Sequence, residues 1–103
     1  MPPAVQSLDH LVLTVADIAR TCAFYQTALG MQIHGFDAAD GSRRTALIFG
    51  SQKVNLHHAG HEFEPKAKTP KPGSADLCFL SDAPLVDWLA HLSANGICVE
   101  KGR

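Results

Sequence analysis

Three polar side chains fall in stretches whose patterning would otherwise bury apolar residues, and their types suit a divalent metal. His10 lies in Leu8–Val15, where Leu8, His10, Val12 and Thr14 share one strand face and Asp9, Leu11, Leu13 and Val15 the other. His57 closes Lys53–His57, sharing its face with Asn55, while Val54 and Leu56 point the other way. Asp76 opens Ala75–Leu80, on one face with Cys78 and Leu80. A polar group turned into an apolar cavity needs a partner, because burying it unpaired is costly. Imidazole and carboxylate together suit a transition metal, and a reactive site of this kind keeps positions open for water or substrate. Each residue also has a plain alternative: His10 hydrogen-bonded to a neighbour, His57 in water at a strand end, Asp76 capping the turn after Gly73-Ser74.

Around these residues the other chemistry is sparse. His57, His58 and His61 cluster without a recognised ligand spacing, which favours a solvated loop. Glu62 and Glu64 flank Phe63 and offer either an acid–base group on a flap or ion pairs with Lys66 or Lys68. Gly30, Gly35 and Gly41 lack the spacing of a phosphate loop, and no serine stands in a nucleophile elbow. Cys22 falls on the apolar stripe of a helix, which disfavours it as a nucleophile.

The elements that must position the three residues follow from spacing. After the first strand, Asp17 is an N-cap, and Ile18, Cys22, Tyr25 and Leu29 recur at helical intervals up to the terminator Gly30. Met31–Phe36, Arg44–Phe49 and Lys53–His57 read as strands, with Asp40-Gly41 and Gly50-Ser51-Gln52 as turns. Pro65, Pro70, Pro72 and scarce apolar residues make 58–74 an exposed connector, either a linker or a functional flap. The pattern then restarts: a strand over Ala75–Leu80, Asp82 as N-cap with Pro84 in the first turn, the stripe Leu85, Val86, Leu89 and Leu92, a stop at Asn95-Gly96, and a strand from Ile97 to Val99. His10 precedes its cap Asp17 by seven residues and Asp76 precedes Asp82 by six, so the two occupy nearly equivalent places in a weak repeat. The expected organisation is α+β: a complete β-α-β-β-β module over 7–57, the connector, and an incomplete β-α-β module over 75–103 lacking its last two strands.

Composition sets the outer bounds. With 103 residues, 46% hydrophobic and 18% charged, the chain can bury a core. A net charge of −1 gives no electrostatic reason to bind nucleic acid or an anionic membrane, and no apolar run approaches a membrane span. The start, Met1-Pro2-Pro3, lacks the features of a signal peptide. Cys22, Cys78 and Cys98 are odd in number, form no C-x-x-C pair and lie among apolar residues; buried free thiols and a cytoplasmic location are expected.

Leu8-Asp9-His10-Leu11-Val12-Leu13-Thr14-Val15, followed by Asp17-Ile18, Phe24-Tyr25 and Leu29-Gly30-Met31, resembles the opening of vicinal oxygen chelate proteins: glyoxalase I, bleomycin-resistance proteins, fosfomycin-resistance enzymes and extradiol dioxygenases. Gln52–His57, His61–Ala67 and Gly73–Phe79 narrow the resemblance to small glyoxalase-domain proteins, including virulence-associated members, and it spans 7–103. It implies paired β-α-β-β-β modules cupped around a metal (Zn, Ni, Mn or Fe), with His10, His57 or less well Asn55, and Asp76 at ligand positions. It also implies a small oxygenated substrate held near Asn55, Glu62 and Phe63, and a homodimer that shares or exchanges modules. The Glu that usually completes the ligand set from the final strand has no counterpart, so the alternatives are a metal-free binder of the bleomycin-resistance type, or a truncated, inactive member.

Overall fold

The computed structural model describes residues 2–100. Its elements are β1 (Leu11–Val15), α1 (Ile18–Leu29), β2 (Gln32–Asp37), β3 (Arg43–Phe49), β4 (Gln52–His58) and α2 (Leu85–Ala94). The four strands form one sheet in the order β1-β4-β3-β2. β2, β3 and β4 are a meander of antiparallel neighbours, and β1 lies parallel to β4, the crossover passing through α1.

Alternation within the strands sorts side chains between two faces. Leu11, Leu13 and Val15 from β1, Leu47 and Phe49 from β3, and Val54 and Leu56 from β4 turn toward α1, where Ile18, Cys22, Tyr25 and Leu29 meet them with Met31. Leu47 and Leu56 are fully buried at the centre of this core. Capping fixes α1 at both ends. The Asp17 carboxylate accepts the Arg20 amide at 3.0 Å. Gly30 adopts a left-handed φ of 69° and donates to Gln26 O, while the Met31 amide reaches Tyr25 O.

The second unit departs from expectation. Residues 75–80 and 97–99 run without ladder partners, because among the described residues no neighbouring strand lies alongside them and a strand exists only through such pairing. What remains of the predicted β-α-β unit is therefore α2, and 101–103 lie outside the described residues. The predicted cap also shifts. Pro84 stands at the N-cap with an extended ψ of 147°, which leaves Asp82 two residues too early to reach first-turn amides. No side chain caps the first turn; Ser81 accepts from the Ala83 amide ahead of the helix at 3.1 Å and from Trp88 Nε1 at 3.0 Å. The helix ends at Asn95-Gly96 as expected. None of its residues is buried, and Leu85, Val86 and Leu89 are exposed. The thiols correct in the same way: Cys22 is buried, whereas Cys78 and Cys98 are exposed because their segments join no sheet. Among the described residues no helix is long and apolar enough to cross a membrane.

Candidate functional site

The face of the sheet opposite α1 carries the polar groups. On β4, Asn55 and His57 alternate with the core residues Val54 and Leu56. Strand register sets Asn55 between Val12 of β1 and Ala46 of β3, and His57 beside Thr14. Thr14, Ala46 and His57 are buried; His57 retains 4% of its accessible surface. Asn55 Oδ1 and His57 Nδ1 are both buried without a hydrogen-bond partner.

The connector supplies the cover over His57. The Phe63 ring stands perpendicular to the His57 imidazole, centroids 5.5 Å apart. The Arg44 guanidinium lies over the same ring, 4.2 Å from its centre. Arg44 is itself held by Ser42 Oγ at 3.0 Å and by Asp40 at 2.9 Å. The Ser42 hydroxyl and amide, with Arg44, draw the Asp40 carboxyl down to about 2. Burial, then the Arg44 charge, pushes the His57 imidazole below its ordinary value, against a smaller opposing pull from Glu62 and Glu64. Glu62 is lowered chiefly by accepting the Gly60 amide at 2.7 Å. Glu64 pairs with Lys66 at 3.4 Å. Both carboxylates of the supposed flap are thus engaged, and Phe63 meets His57 at one end of the face, with Asn55 two residues before it on the same strand.

His10 lies at the other end. It precedes the first ladder pair, Leu11 with Val54, because Leu8–His10 diverge from β4. The divergence opens a cleft of about 160 Å³ lined by His10, Lys53, Leu77, Cys78 and Phe79. Asp9 Oδ2 contacts His10 Nδ1 at 2.7 Å, and this hydrogen bond lowers the Asp9 carboxyl. Asp76 is exposed, one residue from Leu77 of that cleft. His57, by contrast, is level with Thr14, four residues beyond His10, or roughly 13 Å along the strands at about 3.3 Å per residue. Asp76 does not itself line that cleft, and His57 lies apart at the far end of the strands. Among the described residues no group of three or more His, Cys, Asp or Glu is placed to hold a metal. A larger cleft of about 590 Å³ between α1 and the 72–79 segment, lined by Tyr25, Phe24 and Leu77 among others, contains none of the expected site residues.

Two participants escaped sequence reasoning. In the sequence Arg44 reads only as the first residue of the strand Arg44–Phe49, and its pairing with Asp40, four residues earlier, reaches back into the turn. Asp9 belongs to the opposite strand face from His10 by alternation, and it reaches the imidazole because the strand has not yet begun there.

Comparison with known proteins agrees with this architecture. The sequence pattern of the Glyoxalase/Bleomycin resistance protein/Dioxygenase superfamily matches residues 7–103. Virulence protein STM3117 of Salmonella typhimurium is 47% identical over 98 residues, covering 95% of this chain and 65% of that protein. The glyoxalase domain-containing protein RDO1 of Mycosarcoma maydis is 52% identical over 99 residues, covering 96% of this chain and 53% of its own length. The chain thus spans between half and two thirds of these relatives. A structure from the mobile metagenome of V. Pseudocholerae superimposes with a TM-score of 0.90 at 48% identity, over 99% of this chain and 76% of that one. At the level of fold alone, a fosfomycin resistance protein, FosX, of Listeria monocytogenes matches with a TM-score of 0.64 at 13% identity, over 97% of this chain and 77% of that one; it was solved with Mn(II) and 1S,2S-dihydroxypropylphosphonic acid.

Proposed function

The chain belongs to the glyoxalase/bleomycin resistance protein/dioxygenase superfamily, and we propose that it binds a small oxygenated molecule on the open face of its sheet with a divalent metal attached through His10. The observation that carries this reading is the Asp9–His10 hydrogen bond of 2.7 Å. A carboxylate on one ring nitrogen fixes the tautomer and orientation and leaves Nε2 free, the usual preparation of a metal-ligating histidine. Asp76 is the second ligand in this reading, since its neighbour Leu77 lines the same cleft. His57, expected from the sequence at the metal, is assigned with Asn55 and Phe63 to the substrate instead, because it stands at the far end of the strands. Glu62, already bound to the Gly60 amide, holds the loop that carries Phe63.

His10 and Asp76 fit a metal's chemistry, but the described residues do not complete a centre, so no catalytic step is assigned. When bound, a divalent metal supplies a Lewis acid for adjacent oxygens; the FosX neighbour, with Mn(II) and a dihydroxy ligand, is the parallel. The incomplete ligand set favours a second reading, a metal-free binding protein of the bleomycin-resistance type. The uncovered apolar residues of α2 suit a homodimer, and three free cysteines suit a reducing, cytoplasmic setting.

Manganese broadening of amide resonances separates the two. Mn(II) is expected to broaden residues around His10 and Leu77 in the native chain and to lose that effect in His10→Ala. Equal broadening in the variant, or none in either, would leave the metal-free reading standing.

A further inference from the structure

We propose that Asn55 and His57 form a subsite for an uncharged hydroxyl group of the ligand, closed by Phe63. The inference rests on the open-face reading of small-molecule binding, though not on the metal. Its starting point is the pair of orphaned atoms: Asn55 Oδ1 and His57 Nδ1 are buried, unpartnered and on the same face of β4, two residues apart. An unsatisfied buried polar atom is costly, and two on one short stretch are unusual in a folded chain. Asn55 Oδ1 only accepts, so it needs a donor; His57 Nδ1 needs an acceptor in the tautomer that carries the ring proton there. In that tautomer one hydroxyl serves both, donating its single hydrogen to Oδ1 and accepting from Nδ1–H.

Charge selects further. Every charged group acting on His57 already has a partner: Arg44 has Asp40, Lys66 has Glu64, and Glu62 has the Gly60 amide. A carboxylate on the ligand would meet Glu62 and Glu64, and an ammonium would meet Arg44 and Lys66, with no free counter-charge for either. Walls of Thr14, Ala46 and Phe63 complete a small, largely apolar surround. Since the two orphaned atoms have almost no accessible surface, the Phe63 ring must swing away for a ligand to enter. The ring is the removable part, coming from the connector rather than from the sheet.

The test uses benzyl alcohol, benzoate and benzylammonium, which share a ring and differ in the probing group, with the ring nitrogens of His57 followed by NMR. Benzyl alcohol should shift the His57 Nδ1 resonance saturably, with benzoate and benzylammonium at least about tenfold weaker, a difference of about 1.4 kcal/mol. Phe63→Ala should strengthen alcohol binding with the preference unchanged, and Asn55→Leu should abolish it, each variant first checked for native-like amide dispersion. Equal or tighter binding of benzoate would overturn the proposal, as would saturation of the two atoms by water with no response to any probe. His10→Ala should bind the alcohol normally, so loss of metal binding alone counts only against the metal reading.

Discussion

Arg44 lies over one face of the Phe63 ring at 4.2 Å, and the same ring stands perpendicular to His57. A strand residue thereby holds a loop residue in place over a buried imidazole. The Asp40 and Ser42 contacts keep the Arg44 side chain, only 21% exposed, in the required plane. Lysine would keep the charge but lose both the flat stacking surface and the forked donors. Arg44→Lys is expected to lower stability by about 1 kcal/mol, and to accelerate hydrogen exchange in 60–66 more than in α1. Uniform exchange across the chain would show that Arg44 does not hold this loop.

Much of this arrangement was legible in the sequence, and the illegible parts share one cause. Val54, Asn55, Leu56 and His57 alternate cleanly, so the division between core and open face could be read from period alone. Asp17 and Gly30 bracket α1 through purely local chemistry. Arg44 over Phe63 joins residues far apart in sequence, through a connector whose path no periodicity encodes. Asp76 and Cys78 read as strand residues because their pattern is right, but pairing requires a neighbour that pattern cannot supply. The distance between His10 and His57 depends on the parallel register of β1 and β4, which the crossover fixes and neither strand announces.

His57 makes stability depend on pH. Its imidazole titrates below the ordinary value of about 6.5 because burial penalises the charged form. As pH falls, the unfolded chain takes up this proton before the folded one. Stability from the neutral, buried ring is therefore complete above the ordinary value and is lost as pH drops from there toward the lowered folded value. Denaturant melts between pH 8 and about 5 should show this decline, and His57→Phe should flatten it. The same slope in the variant would place the titration elsewhere.

The α1 cap permits a clean local test. Asp17→Ala removes the acceptor of the Arg20 amide while leaving the core untouched. The expected loss is about 0.5–2 kcal/mol, and Asp17→Ser should recover most of it. If serine and alanine destabilise equally, the carboxylate acts through charge rather than by accepting a hydrogen bond.

Core and α2 substitutions should separate folding from association. Leu56, with 1% exposure, sits among Leu47, Val54 and Cys22, so Leu56→Ala should cost about 2–5 kcal/mol. Val86 is 68% exposed, and in an isolated chain Val86→Ser should change stability by less than about 0.5 kcal/mol. A dimer buried through α2 adds a second expectation: the serine would also weaken self-association in sedimentation. If Val86→Ser leaves the sedimentation profile unchanged across a concentration series, the uncovered stripe of α2 is not where two copies meet.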